Sequence, residues 1–275
     1  MFTDPDAELL AMEISGAALP PPELYEQIYH DLTTIRQTYP AMAIIHHRPR
    51  WTTGELLGQL TAEAMTQFEK GEYHGLDTLT AEYGPVKIIP FARLSMSDLN
   101  FVQLRFERRY NPEKLAPLYT AADGVESAGP NWVGGDGDNI EVSESGYIFS
   151  VGWGDCPSGC IHRHYWVFTV VDSAVTLVNE HGNPLITGLN AGNDGPTVVG
   201  DSTKLRASVT SMSYRADYTW DFGDGTFGEG ATVNHTYPAV GNYAAVVTAN
   251  SFGSTVRATT TVIVIPHLKH EGDDF

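Results

Sequence analysis

Apolar residues follow two different periods along this chain. Near the N-terminus four of them recur at helical spacing: Leu24, Ile28, Leu32 and Ile35. This spacing, which ends before Pro40, predicts an amphipathic helix over residues 22–38. The helix belongs to an N-terminal arm of residues 1–50. From about residue 140 onwards the apolar positions alternate with polar ones, which is typical of strands.

Residues 51–133 alternate strand and helix patterns. "GELLGQL", "PVKIIPFARL", "LNFVQLRF" and "VESAGPNWV" have strand patterns, and a turn is predicted at "SMSD" between the second and the third. A helical segment begins at Thr61 and breaks near Gly71, and a second one follows Asn111. The order β-α-β-β-α-β predicts a ferredoxin-like domain.

Residues 134–187 predict a small β module. Alternating aromatic residues define a strand over 147–153, a second strand covers 161–171, and "AVTLVNE" is a third. Asp172 and Ser173 fit a tight turn between the last two strands. The module is therefore expected to be a three-stranded meander, and residues 188–195, "GLNAGNDG", are expected to be a linker.

Residues 196–265 have the pattern of a β-sandwich, with period-two alternation and frequent turn signals, and Trp220 is its predicted core aromatic. The segment resembles the PKD (polycystic kidney disease) domain. The residues that carry the resemblance are "TWDFGDG", "VNHTYPAVGNY", "AVVTANSFG" and "TTTVIVI". The resemblance implies an immunoglobulin-like sandwich of an extracellular, non-catalytic kind that serves adhesion or spacing. A tail is predicted at 266–275.

A second resemblance covers residues 51–133. "GELLGQL", "LTAEYGPVKI", "NFVQLRF" and "AADGVESAGPNWV" are similar to segments of subtilisin-type prodomains. Gly129 replaces an acidic residue of the prodomain pattern. The resemblance implies the ferredoxin-like fold and an affinity for protease surfaces. It supplies one alternative function, an inhibitor or chaperone of subtilisin-type proteases, because no catalytic motif of such a protease follows.

The charge of the chain restricts its partners. Its 34 Asp and Glu against 16 Lys and Arg give a net charge of −18. Such a surface repels phosphate backbones and anionic membranes, which excludes nucleic acid as the expected partner. No apolar run reaches the roughly 20 residues of a membrane helix. The first residues lack a signal-peptide pattern, so either a signal has been removed or the protein stays inside the cell. The expected location is extracellular or at the cell surface.

The stretch "GWGDCPSGCIHRHYW" is the strongest chemical candidate. Its two cysteines, Cys156 and Cys160, lie in the loop of a predicted hairpin and face each other at disulfide distance. A structural disulfide is the favoured interpretation. The alternative is a zinc site of these cysteines with His162 and His164, which share one face of a strand, and a zinc-dependent enzyme would follow from it.

Calcium is the other candidate ligand. The loop "GGDGDNIE" offers four oxygen-bearing side chains: Asp136, Asp138, Asn139 and Glu141. It resembles the first half of an EF-hand loop, but Tyr147 stands where the bidentate Glu is required. Asp221 and Asp224 form a second acidic turn, where carboxylates also cap backbone amides.

These patterns predict a multidomain protein with an α+β part and an all-β part. We expect it to be a non-catalytic extracellular module for binding, adhesion or surface and filament assembly. Its expected partner is a protein or polysaccharide surface or a second copy, with no cofactor except calcium. Two small basic clusters are expected to be solvated faces or to pair with acids of the same chain; they are His46-His47-Arg48 and Arg105, Arg108 and Arg109.

Overall fold

The structure is a computed structural model that describes residues 2–84, 86–90, 100–213 and 215–267. The predicted turn at "SMSD" and most of the predicted tail lie outside these residues. The chain has an α+β fold with several sheets, and it divides into two compact units. Met1–Ser150, Asp155–Gly159 and Tyr165–Glu180 form the first unit, and Val151–Gly154, Cys160–His164 and His181–Phe275 form the second. Within the described part, no helix is long and apolar enough to cross a membrane.

The first unit opens with two helices, α1 (Pro5–Ser15) and α2 (Pro22–Thr38), and a short 3₁₀ helix over Pro40–Ile44. Asp4 caps α1, since its Oδ1 accepts a hydrogen bond of 2.8 Å from the amide of Ala7. Of the four predicted apolar positions of α2, Ile28, Leu32 and Ile35 are buried, whereas Leu24 is half-buried and its neighbour Tyr25 is buried instead. The amphipathic pattern thus faces the interior along the whole helix.

An antiparallel sheet follows, with helices in both of its crossovers. Its elements are β1 (Trp51–Leu60), α3 (Ala62–Lys70), α4 (Asp77–Tyr83), β2 (Val86–Pro90), β3 (Phe101–Phe106), α5 (Pro112–Thr120) and β4 (Val125–Trp132). The strands lie in the order β2-β3-β1-β4, and every neighbouring pair is antiparallel. Leu56, Leu104, Leu115 and Tyr119 form a core between the sheet and its helices.

The next sheet has four strands and not the three predicted. These are β5 (Asn139–Ser143), β6 (Gly146–Trp153), β7 (His162–Val171) and β8 (Ala174–Gly182), in that spatial order. The additional strand is β5, which pairs antiparallel with β6 from Asn139 opposite Ser150 onwards. Residues 139–141 of this strand belong to the loop proposed for calcium, where Asn139 and Glu141 hide the short alternation around Ile140.

The second unit is built from short strands. They are β9 (Ile186–Thr187), β10 (Asn190–Asn193), β11 (Thr197–Val198), β12 (Ser202–Ser208), β13 (Ser211–Met212), β14 (Asp217–Asp221), β15 (Phe227–Glu229), β16 (Thr232–Thr236), β17 (Gly241–Ser251) and β18 (Ser254–Ile265). One sheet has the order β10-β12-β16, the other has the order β11-β18-β17-β14-β15, and β9 pairs with β13. Residues 190–193, inside the predicted linker, form β10 and pair with β12.

Side chains from both larger sheets meet in one core. Leu205 comes from the three-stranded sheet, and Trp220 and Val247 come from the five-stranded sheet. The indole of Trp220 is buried, and its Nε1 donates a hydrogen bond of 3.0 Å to the carbonyl of Gly230. The predicted role of Trp220 as the core aromatic agrees with this position. A buried indole N–H without an acceptor costs about 1–3 kcal/mol, and this hydrogen bond avoids that cost for Trp220.

The neighbours Val246 and Val247 test the assignment of faces. Val247 is 0% exposed, whereas Val246 lies on the other side of β17 and is half-buried. Val247→Ala should lower the free energy of unfolding of the second unit by about 2 kcal/mol, because two buried methyl groups are lost. Val246→Ala should cost clearly less. Urea unfolding, followed by hydrogen exchange of peptides from β17, measures both, and equal losses would contradict the assignment.

Candidate functional site

Cys156 and Cys160 are joined in a disulfide, as predicted. The loop around Cys156 forms tight turns, in which the amide of Ser158 donates to Asp155 and that of Gly159 donates to the carbonyl of Cys156. Both sulfurs are bonded to one another, so neither is a thiolate ligand in this oxidised state. Of the proposed zinc ligands, His164 has its Nδ1 2.8 Å from the carbonyl of Asn183, and the ring of His162 packs beside that of Trp153.

The oxygen-rich segments proposed for calcium have structural contacts. The Oδ1 of Asn139 accepts hydrogen bonds from the amides of Arg48 and Ile140, and its Nδ2 donates to Glu141. The Oδ1 of Asp136 accepts a hydrogen bond from the amide of Gly137. Within the described residues, no three side chains of His, Cys, Asp or Glu come together as a metal ion would require. Asp138 is not brought into such a group either.

The acidic turn after β14 is held by a hydrogen-bond network around Asp224. The Oδ1 of Asp224 accepts from the amide and the hydroxyl of Thr226 at 3.0 and 2.6 Å, and its Oδ2 lies 2.7 Å from Nε2 of His235. The imidazole of His235 stacks on the ring of Phe222, with ring centroids 4.0 Å apart. The other acid of the turn, Asp221, accepts from the amide of Gly223. Both carboxylates therefore shape the turn.

This network determines the titration of its members. Burial raises the pKa of the Asp224 carboxyl, but hydrogen bonds from Thr226 and His235 lower it by more, so the pKa lies below its ordinary value of 3.8. The phenol of Tyr237 lies against the ring of His235, and burial raises the pKa of that phenol to about 12. The carboxylate form of Asp224 is thus the form that the folded turn stabilises.

Asp224→Asn should show this effect as a change in acid stability. Because the folded pKa is depressed, the ionised carboxylate stabilises the fold fully above its unfolded pKa of about 3.9, and the contribution is lost as the pH falls through the lower folded pKa. The variant should lose about 1–3 kcal/mol at neutral pH and show a smaller further loss in acid. Urea unfolding of β14 and β16 at decreasing pH measures both. An unchanged pH dependence would contradict this role.

The outer side of the five-stranded sheet carries two rows of paired side chains. One row across it consists of Glu229, Thr219, Thr248 and Arg257, and the next consists of Phe227, Asp221, Val246 and Thr259. We call these eight residues the outer face. They alternate along each strand with the buried core residues and therefore point away from the sandwich core.

The outer face carries both apolar and charged side chains. Phe227 is 74% exposed, and half-buried Val246 belongs to the same row. Glu229 and Arg257 stand at opposite ends of the other row, and neither makes an ion pair within the described residues. Together with its neighbours the surface encloses a concavity of about 770 Å³. A large exposed aromatic beside unpaired charges is typical of a contact surface. The sequence did not indicate Phe227, because it lies on a strand of only three residues.

The first unit contains a buried acid–base pair that the sequence did not indicate. His47 is buried, its Nδ1 lies 2.7 Å from the carbonyl of Ile140, and its Nε2 lies 3.2 Å from a carboxylate oxygen of Glu13. Burial lowers the pKa of His47, but the hydrogen bond and charge of Glu13 raise it by more, so the pKa lies above its ordinary value of 6.5. The imidazolium therefore joins α1 to β5.

Three other members of the predicted basic clusters pair with acids of the chain, whereas Arg48 donates to the carbonyl of Gly134 and Arg108 lies 5.9 Å from the ring centroid of Tyr110. His46 contacts Asp6, which is buried and also binds Arg36. Arg105 pairs with Glu55, and Arg109 pairs with Glu8 at 2.9 Å. The expectation of intrachain partners thus describes these contacts. No spacing in the sequence joins Glu13 to His47, because they are 34 residues apart and meet only through tertiary packing.

The Glu13–His47 pair predicts a loss of stability in base. Since the folded pKa of His47 is raised, its contribution is complete below the unfolded pKa of about 6.5 and is lost as the pH rises through the folded pKa. Glu13→Gln should remove this dependence. Hydrogen exchange of peptides from α1 and β5 in urea, at increasing pH, measures the effect. The same decline in wild type and variant would assign it to other groups.

Comparison with known proteins identifies the second unit. Residues 188–265 match the family model of the PKD domain, so the chain carries the PKD domain that the sequence predicted. Among solved structures, the PKD domain of human VPS10 domain-containing receptor SorCS2 is 21% identical and covers 37% of this chain and 93% of its own, with a TM-score of 0.29. The PKD1 domain of Vibrio anguillarum Epp is 22% identical and covers 29% and 95%, with a TM-score of 0.25. No curated protein matches the chain.

Proposed function

We propose that this chain is a non-catalytic extracellular interaction protein that contacts a partner protein through the outer face of its PKD domain. The PKD domain itself supports an adhesion or interaction role. The single observation that carries the choice of surface is Phe227, a phenyl ring that is 74% exposed on β15, the edge strand of this sheet. A disulfide at Cys156 and Cys160 is typical of oxidising, extracytoplasmic compartments.

The chemistry of the outer face favours a protein over a polysaccharide. Protein interfaces combine a buried aromatic or aliphatic anchor with a polar and charged rim. Phe227 and Val246 supply the apolar anchor, whereas Glu229 and Arg257 supply charges of both signs. A neutral polysaccharide has no group that pairs with such charges. The partner surface should therefore present an apolar pocket beside a cationic side chain, with an anionic side chain farther from the pocket.

The first unit contributes a scaffold in this proposal. Its strand order β2-β3-β1-β4, with helices in both crossovers, supports the predicted ferredoxin-like fold. The same fold is also compatible with the alternative function, an inhibitor or chaperone of subtilisin-type proteases. Incubation of the full chain with a subtilisin-type protease distinguishes the two roles, because inhibition at micromolar concentration would favour the alternative.

A binding screen with Phe227→Ala tests the proposal. The full chain is immobilised and presented with extracellular matrix and cell-surface proteins and, in a separate arm, with insoluble polysaccharides. Loss of an anchor should weaken binding of the protein partner by about 2 kcal/mol, or roughly thirtyfold in Kd. Val240→Ala is the matched control, because Val240 is also an exposed apolar residue of the second unit and lies outside the outer face.

The result that would contradict the proposal is equally specific. If Phe227→Ala leaves binding unchanged, the outer face is not the binding surface. Binding confined to polysaccharides would replace the protein partner by a carbohydrate. Arg257→Glu should weaken the protein complex and make it less sensitive to salt if the charges at the ends of the rows are paired there.

A further inference from the structure

Strand β8 is an open edge of the four-stranded sheet. The order β5-β6-β7-β8 leaves it with one neighbour, and it is nine residues long. Thr176, Val178 and Asn179 are exposed, with Val178 at 51%. A long exposed edge strand is a template for pairing with another strand.

The turn before β8 determines which of its backbone groups face outwards. Only Asp172 and Ser173 separate β7 from β8, and their φ angles of 49° and 63° define a type I′ hairpin. In such a hairpin the residues that flank the turn, here Val171 and Ala174, exchange hydrogen bonds with each other. Even-numbered residues of β8 therefore bond to β7, and Val175, Leu177 and Asn179 direct their N–H and C=O groups outwards.

The opposite edge of the same sheet is protected by the chain itself. On β5 the carbonyl of Ile140 accepts from His47, and the side chain of Asn139 accepts from the amide of Arg48. Glu141 adds a charge to that short strand. Residues 174–179 of β8 have no charge, no proline and no lysine, which are the usual protections of an edge. The two edges thus differ in the feature that controls association.

We propose that β8 pairs antiparallel with β8 of a second copy of this chain, about a twofold axis at Leu177. In this register Leu177 faces its own counterpart, and Thr176 faces Val178 of the second copy, a pair of β-branched residues that suits a sheet. Glu180 is placed opposite Ala174, so the one acid of the strand does not meet itself. The proposal concerns the first unit and is independent of the outer face.

The charge of the chain distinguishes a second copy from other occupants of this edge. Each copy has a net charge of −18, so two copies approach most easily along a neutral strand. Salt screens the remaining repulsion and should therefore strengthen the dimer. A basic partner at the same edge would show the opposite salt dependence.

Sedimentation of the full chain at increasing concentration tests the association. We expect a monomer–dimer equilibrium that added salt shifts towards the dimer. Val178→Lys should weaken the dimer by about tenfold, because two symmetry-related Thr176–Val178 pairs are lost. Asn179→Pro should abolish it, because the ring replaces an outward N–H that no bond within the sheet uses. Val240→Lys, at 54% exposure in the second unit, is the matched control and should dimerise normally.

Cysteine cross-linking tests the register independently of affinity. Thr176 and Val178 of the second copy form a non-hydrogen-bonded pair, whose spacing of about 4.5 Å between Cα atoms suits a disulfide. Thr176→Cys mixed with Val178→Cys should give a cross-linked dimer, whereas each variant alone should not. A monomer at every concentration, or a dimer that the β8 variants leave intact, would overturn the proposal. Cross-linking of Val178→Cys alone would overturn the axis at Leu177.

Discussion

The alternation of side chains along each strand is the constraint on which the second unit depends. Because Trp220 and Val247 must point into the core between the two sheets, their neighbours Thr219 and Val246 must point out of it. The packing of the core therefore also determines which residues point outwards and form the outer face. A shift of β14 or β17 by one residue would exchange the two sets and leave Trp220 in solvent. In the PKD domain the same strand register both buries the core residues and exposes the outer face.

The same alternation governs backbone groups at the edges of the sheet in the first unit. Along β5 an outward carbonyl is bonded by His47, which is held in turn by Glu13. Along β8 the outward N–H and C=O groups of Leu177 and Asn179 receive no such side-chain hydrogen bond in the described part of the chain. A net charge of −18 limits non-specific association of this edge, since any approach that brings acidic surfaces together is repelled. Contact between two copies is therefore expected at residues 174–179 of β8, which carry no charge.

The sequence predicts those parts of the structure that depend on residues close together in the chain. The PKD sandwich is predicted well because its signals are local: alternation in β17 and β18, and the Gly-rich turn after Trp220. Helix α2 and the disulfide are local in the same way. Strand β5 was missed because its five residues become a strand only by pairing with β6.

The candidate surfaces show the same limit. Phe227 lies on a strand of three residues, too short for a pattern to indicate which face it takes. Glu13 and His47 meet through the packing of α1 near β5, which no spacing along the chain encodes. The Asp and Asn residues proposed as calcium ligands instead illustrate that oxygen-rich segments in a sequence are used first to cap turns and strand ends.

The alternation along β8 directs the N–H groups of Leu177 and Asn179 outwards, where they can bond to a second copy. Amide exchange along β8 tests this directly. Nuclear magnetic resonance can follow the amides of Leu177, Val178 and Asn179 in the full chain as its concentration is raised. The account predicts that Val178 is protected at every concentration, because its N–H bonds to β7, and that Leu177 and Asn179 become protected only as copies associate. Exchange rates for these two amides that do not change with concentration would contradict it.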